Sequence, residues 1–263
     1  MDYRPKLYPK LILMNKFVKQ TQTLFGVVKV VENWPTYVCE YFNLLEPKER
    51  VYKLRNGIKI ATRPILGDRS TINEIFVHDL YPYRIKKDDV ILDIGAHIGV
   101  FTVFAAKLAY EGQIYSFEPD PENFSQLVKN INLNGEKRVK SFNLGVDAKA
   151  GTRDFYVSVL HSGGNSLIDN KGKRISAKFC TLADIFEKND LDRVDFLKMD
   201  VEGAEYDVLL NTPQEYFDKI GNIGLEVHDW ITTRQSPELL QFLEKKGFTV
   251  ELQNGMIYAT KSQ

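Results

Sequence analysis

The chain has 263 residues, of which 43% are hydrophobic and 27% are charged, and its 35 Lys and Arg balance 35 Asp and Glu. This composition supports a sizeable core and excludes a disordered or fibrous protein. The formal net charge of zero argues against a general nucleic-acid binder, because such proteins need a basic excess to neutralise phosphates.

The first 50 residues are predicted to be helical and basic. Apolar residues recur at helical spacing over residues 11–31 and 36–45, and the first 31 residues carry six basic groups against one acid. Such a segment can pack on the rest of the protein as a helical lid, which we prefer, or can contact an anionic membrane surface. We therefore expect a helical N-terminal extension, residues 1–50, and a second domain, residues 51–263.

Neither a membrane span nor secretion is indicated. The longest apolar run near the start, residues 11–14, is far shorter than the ~20 residues of a membrane helix. Cys39 and Cys180 form no metal-binding or disulfide pattern. The expected location is the cytoplasm, with membrane contact through the basic N-terminus as the alternative.

From residue 51 onward strands and helices alternate. A hairpin turns at Asn56-Gly57, and a short helix covers residues 70–78. Strands are predicted at 90–94, 113–117, 139–144, 155–159, 194–199 and 223–228, with helices at 99–111, 121–134, 181–188, from about 204, and at 236–246. A glycine-rich loop covers 161–166, and a terminal hairpin joins 248–252 to 256–260. This order predicts an α/β fold with a mostly parallel sheet and one antiparallel edge strand.

A glycine turn follows the first strand of the sheet. Asp93, Gly95, His97 and Gly99 form the pattern Asp-x-Gly-x-x-x-Gly, with His97 at the position where a pyrophosphate-binding turn has its second glycine. An acid beside the turn suits a cofactor that carries an ammonium group. The pattern therefore favours S-adenosylmethionine (SAM) over a dinucleotide.

Further cofactor contacts are expected at the ends of the next strands. Glu118 follows the second strand, where its carboxylate can accept the ribose hydroxyls. Asn143 and Leu144 end the third strand, where an adenine ring can lie. Glu74, on the helix before the first strand, is expected to reach the same cofactor.

Acidic residues and a histidine end the fourth and fifth strands. Asp200 and Glu202 lie before a helix, and Glu205 falls in its first turn, where the helix dipole favours an acid. Glu226 and His228 share one face of the fifth strand. We expect His228 to act as general base, oriented by Glu226, with Glu202 as the alternative base and Asp200 positioning substrate or cofactor. No residue is assigned as a metal ligand, although Asp200, Glu202 and His228 holding a divalent metal remains an alternative.

The segments 92–102, 117–119, 198–205 and 226–228 resemble the FkbM family of SAM-dependent methyltransferases, and the block Asp-Val-Glu-Gly-Ala-Glu is the specific part. The resemblance covers roughly residues 60–230. It implies a class I, Rossmann-like methyltransferase fold with a seven-stranded sheet whose last strand is antiparallel. It further implies that Asp93, Gly95 and Gly99 line the methionine end of SAM, that Glu118 holds the ribose, and that Asp200 lies in the reaction cleft.

The expected reaction is O-methylation of a hydroxyl on a sugar, glycolipid or polyketide-like small molecule. The expected partner is thus a small-molecule or glycan acceptor and not nucleic acid. A metal-assisted O-methyltransferase and a nicotinamide-dependent dehydrogenase with the same sheet are the alternatives.

Overall fold

The computed structural model describes residues 20–157, 173–229 and 232–262. In these residues the helices and strands are, in chain order, α1 (20–30), α2 (Trp34–Tyr41), β1 (Arg50–Lys53), β2 (Lys59–Thr62), α3 (Leu66–Phe76), β3 (Val90–Ile94), α4 (Val100–Leu108), β4 (Gln113–Phe117), α5 (Pro121–Asn134), β5 (Val139–Phe142), β6 (Gly145–Val146), β7 (Gly151–Val157), β8 (Lys173–Cys180), α6 (Leu182–Lys188), β9 (Val194–Met199), α7 (Glu205–Leu210), α8 (Gln214–Phe217), β10 (Ile220–Glu226), α9 (Ser236–Lys245), β11 (Phe248–Gln253) and β12 (Met256–Lys261).

The main sheet has seven strands in the order β11-β12-β10-β9-β3-β4-β5. Strands β10, β9, β3, β4 and β5 run parallel to one another, and β12 is antiparallel to both of its neighbours. The predicted seven-stranded sheet with an antiparallel last strand is confirmed. The expectation that this strand forms the edge is wrong, because β12 pairs on both sides and β11 lies outside it.

A second, three-stranded sheet has the order β6-β8-β7. Strand β8 was not predicted, although Ile175, Ala177 and Phe179 alternate with polar residues as in a half-buried strand. The predicted strand at 155–159 starts earlier, at Gly151, and is described as far as Val157. The predicted loop 161–166 and the start of the predicted helix 11–31 lie outside the described residues.

The N-terminal helices share a hydrophobic core with the strand-containing part of the chain. Val27, Val31 and Tyr37 are fully buried and belong to the same cluster as Tyr52 of the hairpin and Val100 of α4. Each fully buried side chain of this size stabilises the fold by about 1.5–3 kcal/mol. Among the described helices, none combines the length and the apolar character that crossing a membrane requires.

The hairpin β1–β2 is fastened to helix α5 by Asn130. The Asn130 amide nitrogen donates to the carbonyls of Ala61 and Ile98, and its oxygen accepts from the Ala61 amide at 2.7 Å. Helix α5 begins as predicted, with Asp120 accepting from the backbone amide of Glu122. Because Ile98 lies in the glycine turn, Asn130 links the hairpin to that turn.

Candidate active site

A cavity of about 600 Å³ opens at the carboxyl ends of β3, β4, β9 and β10. This is where ligands of open parallel sheets bind, because the strand order reverses direction beside β3. Its wall includes the glycine turn, the end of β4, helix α3 and the acids after β9 and β10. The predicted site residues that line it are Glu74, Gly95, His97, Glu118, Asp200, Glu202 and Glu226.

The glycine turn is held between its two neighbouring strands. The amides of Gly95 and Ala96 both donate to the Phe117 carbonyl at 3.0 Å, and the Asp200 amide donates to the Ile94 carbonyl at 3.0 Å. Gly95 has a φ of +77°, and a Cβ there would lie 1.7 Å from the Asp200 carbonyl oxygen. Only glycine fits this position without a backbone shift.

Asp93 lies beneath the turn instead of on the cavity wall. It is fully buried, accepts a hydrogen bond from the Thr102 hydroxyl, and lies 3.1 Å from the Nζ atom of Lys198. Lys198 also donates to the Gly95 carbonyl and lines the cavity. Sequence reasoning missed this lysine, although a charged residue within an apolar strand indicates a buried partner.

Glu118 connects the end of β4 to the glycine turn. One carboxylate oxygen accepts from the His97 amide at 2.8 Å, and the other accepts from the Asp120 amide at 2.9 Å. Burial raises the pKa of Glu118 to about 7, although these backbone hydrogen bonds oppose the increase. The carboxylate faces the cavity in the position where sequence reasoning expected a ribose contact.

Three other predicted cofactor residues do not line the cavity. Asn143 donates from its side-chain amide to the Glu118 carbonyl at 2.8 Å and so supports the end of β4. Leu144 packs against the main core, and Gly99, with a φ of +81°, caps the start of α4. All three lie near the ends of strands or at the start of α4. Their contacts in the structure are with other protein residues, not with the cavity.

His97 presents a neutral imidazole to the cavity. Burial lowers the pKa of His97 to about 4, although its Nε2 atom lies 3.6 Å from a carboxylate oxygen of Asp68. Asp68 is fully buried and pairs with the Arg63 guanidinium through both of its oxygens. Sequence reasoning did not identify Asp68 or Arg63, because they lie on separate elements from the turn.

His228 and three acids form the carboxylate–imidazole cluster, which consists of Asp200, Glu202, Glu226 and His228. The His228 Nε2 atom lies 3.4 Å from Glu202 and 3.8 Å from Asp200. Asp200, Glu226 and His228 each offer one atom within 4.8 Å of the others. The three acids line the cavity, whereas His228 is buried behind them.

The partner that orients His228 is Glu205, and the expectation of Glu226 in this role is corrected. The Nδ1 atom of His228 lies 2.6 Å from Oε1 of Glu205, which is fully buried. Strand β10 ends at Glu226, so His228 follows the strand and turns toward α7. The missed signal was Glu205 itself. An acid in the first turn of the helix after β9 can reach a histidine that follows the neighbouring strand β10.

The pKa values of several groups in and beside this cluster are shifted from their usual range. Burial lowers the pKa of His228, but the Glu205 hydrogen bond and the charges around it outweigh burial and raise the pKa to about 10. Burial and the charge of Asp200 raise the pKa of both Glu202 and Glu226. The same two causes raise the pKa of Glu74 to about 7.

Tyr81 is a cavity residue that sequence reasoning missed. Its side chain is 5% exposed and packs against Phe101 and Phe196. Among the described residues, none accepts or donates a hydrogen bond at its buried hydroxyl. Burial, followed by the charges of Asp200 and Glu226, raises its pKa.

The residues present fit SAM. The cavity has the volume typical of a small-molecule site, about 300–1,000 Å³. The carboxylates of Glu118, Asp200, Glu202 and Glu226 can accept from hydroxyl and ammonium groups, and they supply the negative charge that a sulfonium requires. The apolar wall contributed by Val100, Phe101 and Phe117 can cover an aromatic ring or a methylene chain.

Residues 93–250 match the family model described as "Methyltransferase FkbM domain". This match covers more than half of the chain. It includes the glycine turn, the end of β4 and the whole carboxylate–imidazole cluster, and it begins after the N-terminal helices and the hairpin.

Curated relatives are similar over most of the chain. Methyltransferase sdnD of Sordaria araneosa is 26% identical over 210 residues, which are 67% of this chain and 80% of the relative. The 31-O-demethyl-FK506 methyltransferase FkbM of Streptomyces tacrolimicus is 24% identical over 241 residues, 79% of this chain and 92% of the relative. The hexuronic acid methyltransferase AglP of Haloferax volcanii is 23% identical over 155 residues, 59% of this chain and 62% of the relative.

Proposed function

Since the chain belongs to the family of methyltransferase FkbM domains and is a SAM-dependent methyltransferase of the class I fold, we propose that it methylates a hydroxyl group. The proposed acceptor is a sugar, a glycolipid or a polyketide-like small molecule. The names of two relatives support this acceptor class, since one is named for 31-O-demethyl-FK506 and the other for a hexuronic acid. The nicotinamide-dependent alternative is set aside, because the family is one of methyltransferases.

The observation that carries the proposal is the set of acids between the glycine turn and helix α3. SAM supplies a methyl carbon on a positively charged sulfur, and transfer to an oxygen breaks the S–C bond and forms an O–C bond. A hydroxyl acceptor must lose its proton in this reaction, so the site needs a proton acceptor next to the cofactor. Asp200, Glu202 and Glu226 line the cavity and are the candidates for this role.

Glu202 is the proposed proton acceptor. It lines the cavity, and its carboxylate lies 3.4 Å from the Nε2 atom of His228. His228 lies behind the cavity wall, with Nδ1 held by Glu205, and it supports the acids instead of contacting the acceptor. Glu202 therefore replaces His228 as the proposed base, because Glu202 lines the cavity and His228 does not.

Helix α3 and the small sheet provide the proposed acceptor side of the cavity. Ser70 and Thr71 offer hydroxyls, and Phe155 and Phe179 offer aromatic faces. A sugar ring presents hydroxyl groups at its edge and C–H groups on its face, so both kinds of wall can contact it. The residues of α3 and those of the glycine turn line the same cavity, so an acceptor held by α3 shares that cavity with the cofactor.

The test uses labelled SAM with panels of glycans, glycolipids and hydroxylated small molecules. We expect label to appear in an O-methyl group of one acceptor class. Glu202→Gln should then lower kcat by about 10²–10⁴-fold, because a general base contributes that much to a rate. The Kd for SAM should change far less than kcat, because Glu118, Asp200 and Glu226 keep their carboxylates beside the cofactor.

Glu215→Gln is the matched control, because Glu215 is an exposed acid on α8 and lies away from the cavity. It should keep the wild-type kcat. Label found on nitrogen or carbon atoms of the product would contradict hydroxyl methylation. Unchanged kcat in Glu202→Gln would contradict the role of Glu202 alone.

A further inference from the structure

Asp200 and Glu226 line the cavity, and His228 lies behind them with a possible ligand atom close to both. One atom from each residue lies within 4.8 Å of the other two. We infer that these three residues hold a divalent metal ion with open coordination positions toward the acceptor. This inference names a site that hydroxyl methylation does not by itself require.

The hydrogen bond that His228 donates to Glu205 prepares the imidazole to be a ligand. Glu205 lies 2.6 Å from Nδ1 and accepts the proton of that nitrogen, so a metal ion that binds Nε2 displaces only the proton on Nε2. Nε2 is the atom that lies on the side of Asp200, at 3.8 Å. A carboxylate that fixes the tautomer of a histidine from behind is the usual outer partner of a metal-binding imidazole.

The separations suit a metal of ordinary size. With metal–ligand distances of about 2.1 Å, ligand atoms in tetrahedral or octahedral arrangements lie about 3–4 Å apart. The Asp200–His228 distance falls within that range, and a ligand atom of Glu226 lies within 4.8 Å of the other two. Two carboxylates neutralise a divalent charge, so the ion replaces the His228 proton as the positive partner of Asp200 and also neutralises Glu226.

The donor set favours a metal that accepts both oxygen and imidazole nitrogen, such as Mn²⁺. Asp200 and Glu226 are partly exposed to the cavity, whereas His228 is buried. The protein therefore covers one side of the proposed ion and leaves the other side open. An acceptor hydroxyl or water can complete the coordination there.

The buried hydroxyl of Tyr81 is a second, independent observation at this point. Its side chain lines the same cavity and is 5% exposed, and no described residue forms a hydrogen bond with the hydroxyl. A buried hydroxyl without a partner costs about 1–3 kcal/mol. A water or hydroxyl bound to the proposed ion supplies a partner for it.

The proposed ion has a specific consequence if the protein methylates a hydroxyl, as proposed above. A hydroxyl bound to a divalent cation is more acidic than a free one, so it loses its proton to a carboxylate near neutral pH. Glu202 lies beside the three ligands and is not one of them. The ion then polarises the acceptor oxygen while Glu202 receives the proton.

Direct titration with Mn²⁺ tests the site without any acceptor or cofactor. The full-length protein is first treated with a chelator, and free Mn²⁺ is then followed by electron paramagnetic resonance during titration. We expect one ion to bind per chain. Asp200→Asn and Glu226→Gln should each weaken binding by more than about 10-fold, and Glu205→Gln should weaken it by about 10- to 100-fold through the orientation of His228.

Glu215→Gln, with the same loss of charge at an exposed position, should bind Mn²⁺ like the wild type. Circular dichroism and thermal unfolding of each variant check that it is folded. Absence of stoichiometric Mn²⁺ binding, or equal binding by all the folded variants, would overturn the inference. Because the titration uses no acceptor, its outcome is independent of whether the hydroxyl methylation proposal is correct.

Discussion

His228 and Glu205 lie 23 positions apart in the chain, and their side chains meet with 2.6 Å between Nδ1 and Oε1. Glu205 stands in the first turn of α7, which packs its residue Tyr206 against the main core. The pair therefore joins the end of the sheet to the helix after β9. Because Nδ1 is bound to Glu205, the other ring nitrogen, Nε2, points toward Asp200 and Glu202.

Glu205→Gln should destabilise the protein by about 1–3 kcal/mol, because a buried imidazole loses its charged partner. Urea unfolding at neutral pH, without added metal, measures the change in the free energy of unfolding. Glu238→Gln is the control, since Glu238 is an exposed acid in the first turn of α9. A helix-dipole effect alone is worth about 0.3–1 kcal/mol, so equal losses in both variants would contradict the specific pair.

Binding of SAM should strengthen as the pH rises through the pKa of Glu118. Burial raises this pKa to about 7, so the carboxyl group is mostly protonated at pH 6 and mostly ionised at pH 8. The ionised form is the better acceptor for ribose hydroxyls, so the Kd for SAM should fall about tenfold over this interval. Isothermal titration calorimetry measures it. Glu118→Gln should bind SAM more weakly and show a smaller pH dependence than the wild type, and a wild-type Kd that rises with pH would contradict the role of Glu118.

Gly95→Ala should be far more damaging than Gly57→Ala. Both glycines have positive φ angles, +77° and +88°, so an alanine at either position costs about 1–2 kcal/mol of backbone strain. At Gly57 an added Cβ meets no atom within 4 Å, whereas at Gly95 it meets the Asp200 carbonyl oxygen at 1.7 Å. We expect Gly95→Ala to lose about 3 kcal/mol or more of unfolding free energy, measured by urea denaturation. Similar losses in the two variants would show that the backbone at Asp200 shifts to accommodate the added Cβ.

Tyr81→Phe should leave the ligand-free protein equally stable or slightly more stable. The hydroxyl is buried without a protein partner in the described structure, so its removal relieves a desolvation cost of about 1–3 kcal/mol. Tyr206→Phe is the contrasting variant, because the Tyr206 hydroxyl donates to Asp229 at 2.6 Å. Thermal unfolding should rank Tyr81→Phe above Tyr206→Phe. The reverse order would mean that the Tyr81 hydroxyl has a stabilising partner.

Local patterns predicted the elements that surround the site. Strands β3, β4 and β9 and helix α5 have the predicted bounds, because apolar runs, a proline start and a glycine end act over a few neighbouring residues. Strand β8 was missed although apolar and polar residues alternate along it, which is also a local pattern. The acids at the strand ends were found for a simple reason: parallel strands bring their carboxyl ends to one edge of the sheet.

The contacts among those acids could not be predicted in the same way. The amino-acid order already specifies the parallel sheet, the glycine turn and the family of the chain, since each depends on residues that are close in sequence. That His228 pairs with Glu205 and not Glu226, and that Asp93 lies under the turn against Lys198, depends on how separate elements are placed. A buried charge takes the partner that compensates its lost hydration, and only the folded structure determines which partner is within reach.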